Sequence, residues 1–222
     1  MATQIRLLVL LVCVHFVVAC NHSPQQQAQS APQKQDSTDS TASGLTLHLS
    51  SLLANRPLSS DSILTVKYDQ FFKTQKRFVG FSLQTLILEA LATSAFDTTG
   101  AVVVFECTDG YAPTMYLSQV LGPKKGMIVT RDLSAPKGQK WLDSLINKFE
   151  PFYLAWADVP KEDMHYVLPY GLHSIRILTG AAQFKDAFPF DAPELQTGFT
   201  LFQNNCMKCH SINKVGGSIG PE

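Results

Sequence analysis

The sequence predicts an α+β domain followed by a short all-α unit, and three observations carry that expectation. Between Leu45 and about Gly180, short apolar runs of strand length alternate with turn residues. One segment of that stretch repeats apolar residues at helical spacing instead. Near the C-terminus a further helical segment is set apart by a proline-containing break.

Residues 1–20, MATQIRLLVLLVCVHFVVAC, place Arg6 ahead of an apolar run from Leu7 to Ala19. That run is shorter than the roughly 20 residues needed to cross a hydrocarbon core, so it reads as the apolar region of an export signal. Val17-Val18-Ala19-Cys20 resembles the lipobox of bacterial lipoproteins, in which the cysteine is diacylated and becomes the new N-terminus. The resemblance implies an exported chain held by lipid on Cys20 at the periplasmic or cell-envelope face of a membrane. A soluble secreted protein cleaved nearby, with Cys20 incidental, is the other reading.

Residues 21–44 contain no Leu, Ile, Val or aromatic residue and are rich in Gln, Ser and Pro. Such a segment cannot bury enough apolar surface to offset the entropy of ordering, and it reads as a tether.

Residues 45–183 form the α+β domain. Ile63 to Val66, Ala101 to Cys107, Met127 to Thr130, Phe152 to Trp156 and His173 to Leu178 are the strand candidates, several of them rich in β-branched or aromatic residues. Leu83, Leu86, Ile87, Ala90 and Leu91 recur at helical spacing behind Ser82, a residue type that caps helix N-termini. Phe184 to Asp191, with two phenylalanines around Pro189, reads as a linker lying on a surface. The helix of the second unit, residues 192–222, is expected to begin near Pro193 and to end at Cys206.

Charge excludes one class of partner. Lys plus Arg equals Asp plus Glu at 18 each, with no basic stripe to follow a phosphate backbone, which argues against nucleic acid. Cysteine arithmetic points the other way, to a cofactor. With Cys13 in the signal and Cys20 lipidated, Cys107, Cys206 and Cys209 remain, and an odd cysteine in an exported protein makes sense when the other two are committed together.

Cys206-Met207-Lys208-Cys209-His210 has the spacing of covalent haem attachment. The two thiols can add, as S–H, across the two vinyl groups of protohaem, and the adjacent imidazole can present a nitrogen to the iron. A redox-active thiol pair and a zinc site are the competing readings. The first expects the motif at the start of a helix beside a βαβ pattern, and the second expects another pair of ligands nearby.

The stretch from Gly198 to Glu222 resembles the opening of class I cytochromes c. Gly198 and Phe202 stand where that family has a helix glycine, at which a C-terminal helix crosses, and an aromatic that packs on the haem edge. Gly220-Pro221 resembles its Gly-Pro step, whose proline carbonyl accepts a hydrogen bond from the proximal histidine, here His210. The resemblance implies haem c on Cys206 and Cys209, with His210 as axial ligand. The family continues past this point with a distal methionine and a closing helix, so the sequence is expected to be the first part of a longer chain. Met164, His165 and His173 are assigned to the strand domain instead of the sixth ligand position.

The first domain carries a second resemblance. Asp109-Gly110-Tyr111, Pro151 and Pro169-Tyr170-Gly171 are similar, in order, to segments of the molybdopterin-binding domain of sulfite-oxidase-like proteins. That family binds molybdenum through a cysteine in a loop well before the Asp-Gly-Tyr step, whereas Cys107 lies directly before it. The resemblance therefore implies the scaffold without molybdopterin, with Cys107 a small buried hydrophobe and Asp109 to Tyr111 a structural turn whose tyrosine hydroxyl ties down a loop. Phe71, Phe72, Trp141 and Trp156 read as packing residues, and Lys124-Lys125 as a solvated turn.

The functional expectation is an exported, lipid-anchored c-type cytochrome that passes single electrons between partner proteins, an electron carrier and not a catalyst in its own right. Two alternatives stand beside it: a haem subunit of a molybdenum-dependent oxidoreductase, and a lipoprotein that binds a partner or senses redox state.

Overall fold

A computed structural model describes residues 38–41, 44–58, 62–134, 150–160, 162–163, 165–188 and 191–222. Cys20, Trp141, Met164 and the signal segment lie outside the described residues.

The described chain is a sheet-rich α+β fold whose curled sheet is antiparallel throughout. Its strands are β1 (Thr38–Thr41), β2 (Gly44–His48), β3 (Ile63–Asp69), β4 (Thr74–Ser82), β5 (Ala101–Cys107), β6 (Thr114–Tyr116), β7 (Gly126–Asp132), β8 (Phe152–Trp156) and β9 (Tyr170–Thr179). Every run read as a strand in the sequence is one. The sheet branches at β9. Along one side β9 pairs with β5, which carries β6; along the other it pairs with β2 over Ser174 to Leu178 and with β8 at Tyr170 and Leu172. From β8 the sheet continues through β7 and β4 to β3, and from β2 to β1.

β5 explains the branch. Its sequence AVVVFEC is apolar at successive positions, the pattern of a strand covered on both faces. Val103, Phe105 and Cys107 enter the main core with Ile175 and Ile177 of β9. Val102 points the other way, into a separate cluster formed with the C-terminal tail. Helix α2 (Leu83–Ala92) closes the main core with Leu83, Leu86, Ile87 and Ala90, and the Ser82 hydroxyl accepts from Thr85 N at 3.2 Å, as expected of an N-cap. Short helices α1 (Leu49–Leu53) and α3 (Leu117–Val120) bury Leu49, Leu53, Leu117 and Val120 in the same core.

A further cluster lies around Phe78 and Tyr153, both fully buried. The Tyr153 hydroxyl donates to Asp69 Oδ2 at 2.8 Å, and the backbone N–H groups of Phe71 and Phe72 donate to Asp69 Oδ1 at 2.9 Å. A buried carboxylate with several donors is a satisfied one, and the hairpin between β3 and β4 is fixed by it. Phe71 and Phe72 pack by their edges against Tyr170 and Tyr153, as expected of packing residues.

Three expectations change. Thr38–Thr41, within the stretch read as a tether, pairs with β2; an edge strand is held by backbone hydrogen bonds and needs no apolar side chains of its own. Phe184 to Asp191 is not a surface-lying linker over its described part. Helix α4 (Gly180–Phe184), capped by the Thr179 hydroxyl, delivers Phe184, Ala187 and Phe188 into the tail cluster. Residues 192–222 are not all-α. They hold a 3-10 turn (Pro193–Leu195), helix α5 (Gln196–Asn205) and a hairpin of β10 (Ser211–Ile212) and β11 (Val215–Gly216). Asn213 and Lys214, both at positive φ of 49° and 65°, form its two-residue turn, a geometry that matches strand twist and that asparagine tolerates well.

Candidate haem-attachment site

Helix α5 buries Phe199, which stacks on Phe188 with ring centroids 4.6 Å apart and meets Phe184 edge-on at 5.6 Å. This aromatic group seats the helix on Val102, on the outer face of β5. The helix then runs into the motif without a break. Cys206 N and Met207 N both donate to Phe202 O, at 2.8 and 2.9 Å, and Cys209 N and His210 N both donate to Cys206 O, at 3.0 and 2.9 Å. Met207 is thereby turned into the tail cluster, while Cys206 is exposed and Cys209 partly so. Both thiols are free.

His210 Nδ1 lies 2.8 Å from Pro221 O. A carbonyl can only accept, so the bond requires the proton on Nδ1 and leaves Nε2 with its lone pair for a metal. The segment after the motif wraps back to create this contact. Gly217 N donates to Met207 O at 2.8 Å and Gly220 N to Cys209 O at 2.9 Å. Gly220 presses against the imidazole so closely that a Cβ there would lie 2.4 to 2.7 Å from three of its ring atoms.

The sheet domain reaches the same place. Between β5 and β6 the chain turns through Asp109-Gly110-Tyr111, where Asp109 Oδ1 accepts from Tyr111 N at 3.0 Å and Gly110 takes φ of 88°. Gly110 O accepts from Ser218 N at 2.9 Å, and Ala112 N donates to Lys208 O at 3.0 Å. Burial, with the neighbouring Cys209 thiol next in weight, pushes the Tyr111 phenol up to about 12. The expected turn is present, but its ties run through backbone groups and the Asp109 carboxylate instead of the Tyr111 hydroxyl, which has no hydrogen bond among the described residues.

Cys107 is 5% exposed within the main core, and burial, followed by Asp109 and Glu106, pushes its thiol up to about 12. A thiol held protonated there packs as a hydrophobe. Burial, followed by Asp69, likewise raises Tyr153 well above its usual value. These folded-state values exceed the unfolded ones, so the unfolded chain releases protons first and stability falls as pH rises above about 9. Chemical unfolding followed along an alkaline pH series checks this, and Cys107→Ala should remove the earliest part of the fall.

The other sequence candidates lie apart. His173 is exposed on β9, and His165 is exposed with its carbonyl accepting from Gln119. Gly198 has open space where a side chain would stand, Phe202 is half-buried against the tail cluster, and Leu201 is 60% exposed. Among the described residues no three His, Cys, Asp or Glu side chains converge as a metal-ion site.

The donor chemistry fits a haem. The porphyrin brings four nitrogens of its own, so the protein needs one imidazole with a free Nε2 and two accessible thiols on one turn, which Cys206, Cys209 and His210 offer. The residues that sequence reasoning missed are Phe199, Phe188 and Ser218. Only Phe199 left a signal, as an apolar position three residues from Phe202. Comparison of the chain with protein-family models, with curated proteins and with solved structures finds no match.

Proposed function

We propose that this protein is an exported c-type cytochrome, anchored to a membrane by lipid on Cys20, that carries single electrons through a haem bound to Cys206 and Cys209 with His210 as axial ligand. The observation that carries the reading is the His210 Nδ1 to Pro221 O contact of 2.8 Å immediately after the Cys-x-x-Cys-His turn. It orients the imidazole and makes Nε2 more basic, as an axial ligand needs. The iron supplies the redox chemistry when bound; the chain supplies attachment, orientation and a route to partners. The α+β domain belongs to the same proposal as a scaffold of the sulfite-oxidase-like type that holds no molybdopterin.

Export of the chain from a host with haem-maturation machinery, followed by denaturing electrophoresis and haem staining, tests the proposal. Colour should migrate with the polypeptide and be lost in the Cys206→Ala/Cys209→Ala double variant. Colourless wild-type protein overturns the reading in favour of a lipoprotein that only binds a partner. Metal analysis of the same material, made with molybdopterin available, should give iron without molybdenum; molybdenum in equal amount would make the chain an oxidoreductase subunit. Cys20→Ser should shift the protein from the membrane to the soluble fraction, and unchanged fractionation would remove the anchor.

A further inference from the structure

The Asp109-Gly110-Tyr111 turn belongs to the sheet domain, yet its closest ties outside that domain all go to the attachment motif and the strap behind it. Ser218 N donates to Gly110 O at 2.9 Å, and Ala112 N donates to Lys208 O at 3.0 Å, so the turn is bonded both to the strap and to a residue between the two motif cysteines. Gly110 at φ of 88° has no room for a side chain: a Cβ would stand 2.3 Å from Ser218 Oγ. Tyr111 is partly buried against the main core and stands between these two bonds, one of which ends on Lys208, the residue directly before Cys209. Cys206, one helical turn earlier, is exposed. The two motif cysteines therefore sit in unequal surroundings, one open and one beside a wall supplied by the sheet domain.

We infer that the β5–β6 turn is one wall of the haem site and that Tyr111 is a positioning residue for Cys209, setting the place of one of the two sulfur attachments and keeping water from it. The inference rests on the cytochrome reading for its function, but its physical content concerns the thiols alone. The sheet domain then contributes to the cofactor site directly, and the tail is not a haem module that happens to be joined to a neighbour.

The test uses the full chain made without haem-maturation machinery, with its thiols reduced, treated with a limiting amount of iodoacetamide and mapped by peptide mass. Cys209 should alkylate several-fold more slowly than Cys206. Tyr111→Ala should speed Cys209 selectively until the two rates agree within about twofold, leaving Cys206 unchanged, while Tyr111→Phe, which keeps the ring, should preserve the wild-type ratio. Tyr111→Leu, a milder truncation, should fall between them. Equal rates in the wild type overturn the inference, and so does an equal rise at both thiols in the Leu and Ala variants, which is what a loosened tail would give. Because this readout needs no haem, its failure is distinct from failure of the cytochrome proposal, which the haem stain decides. In haem-loaded protein, Tyr111→Ala should lower the reduction potential relative to Tyr111→Phe by admitting water beside the ring; identical potentials count against the wall.

Discussion

Replacing Gly220 by alanine should turn His210 away from Pro221 and, on the cytochrome proposal, disturb axial ligation while leaving both sulfur attachments intact. The added methyl would lie 2.4 Å from Cε1, 2.6 Å from Nδ1 and 2.7 Å from Nε2 of the imidazole, distances no real methyl tolerates. The ring is the more mobile party, because Gly220 is fixed by its own bond to Cys209 O at 2.9 Å. Ring movement breaks the 2.8 Å contact with Pro221 O, and the loss of a second-sphere hydrogen bond of this kind costs roughly 10- to 100-fold in ligand affinity. Covalent haem retention on denaturing gels should therefore survive while the low-spin absorption spectrum weakens. His210→Ala should abolish that spectrum outright, and Pro221→Ala, which keeps the carbonyl, should change it little. An unaltered spectrum in the Gly220→Ala protein would remove His210 from the iron.

Replacing Phe199 by alanine should produce the largest loss of stability among changes to the tail. Phe199 stacks on Phe188 at 4.6 Å and meets Phe184 at 5.6 Å, and with Val102 and Met207 these form the cluster that joins the tail to the sheet. Truncating a buried phenylalanine costs about 3–5 kcal/mol through lost apolar contact and the cavity left behind. Urea denaturation should show that loss, whereas Leu201→Ala, at 60% exposure on the same helix, should stay within about 0.5 kcal/mol of wild type. Equal effects of the two substitutions would mean that the helix is not held through Phe199.

How much of this could be read from the sequence depended on which physical signal each element carries. Runs such as AVVVFEC declare a strand because β-branched residues in unbroken succession suit a sheet buried on both faces. Ser82 declared the start of α2 because a hydroxyl can accept from a helix's first N–H groups. β4, Thr74–Ser82, was missed because its outer half, TQKR, is polar and exposed apart from Lys76, which pairs with Asp132, while only its inner half is covered by the core. The linker reading of Phe184 to Asp191 failed for a related reason. Aperiodic aromatics around a proline look like loop, and only the tail laid across β5 explains why Phe184 and Phe188 are buried.

The proximity of Cys206, Cys209 and His210 was legible because it depends on local spacing alone. A single turn past the end of α5, closed by the Cys209 and His210 N–H groups on Cys206 O, suffices to bring the three together. The strap was legible in part. Gly220-Pro221 could be matched to a known step, while Gly216 and Gly217, whose Cβ atoms would each fall 2.2 Å from a motif carbonyl, gave no warning that they are required. Asp109-Gly110-Tyr111 was legible as a turn, but its bond to the C-terminal segment was not. Its partner Ser218 is more than a hundred residues away in sequence, and nothing in either segment names the other.

β5 has one more consequence. With Val103 and Phe105 gripped by the main core and Val102 gripped by the tail, melting either side strips the same strand of half its cover. Heat should accordingly dissolve both parts in one calorimetric peak, and any partner that tugs on the C-terminal segment will feel the stiffness of the whole sheet behind it.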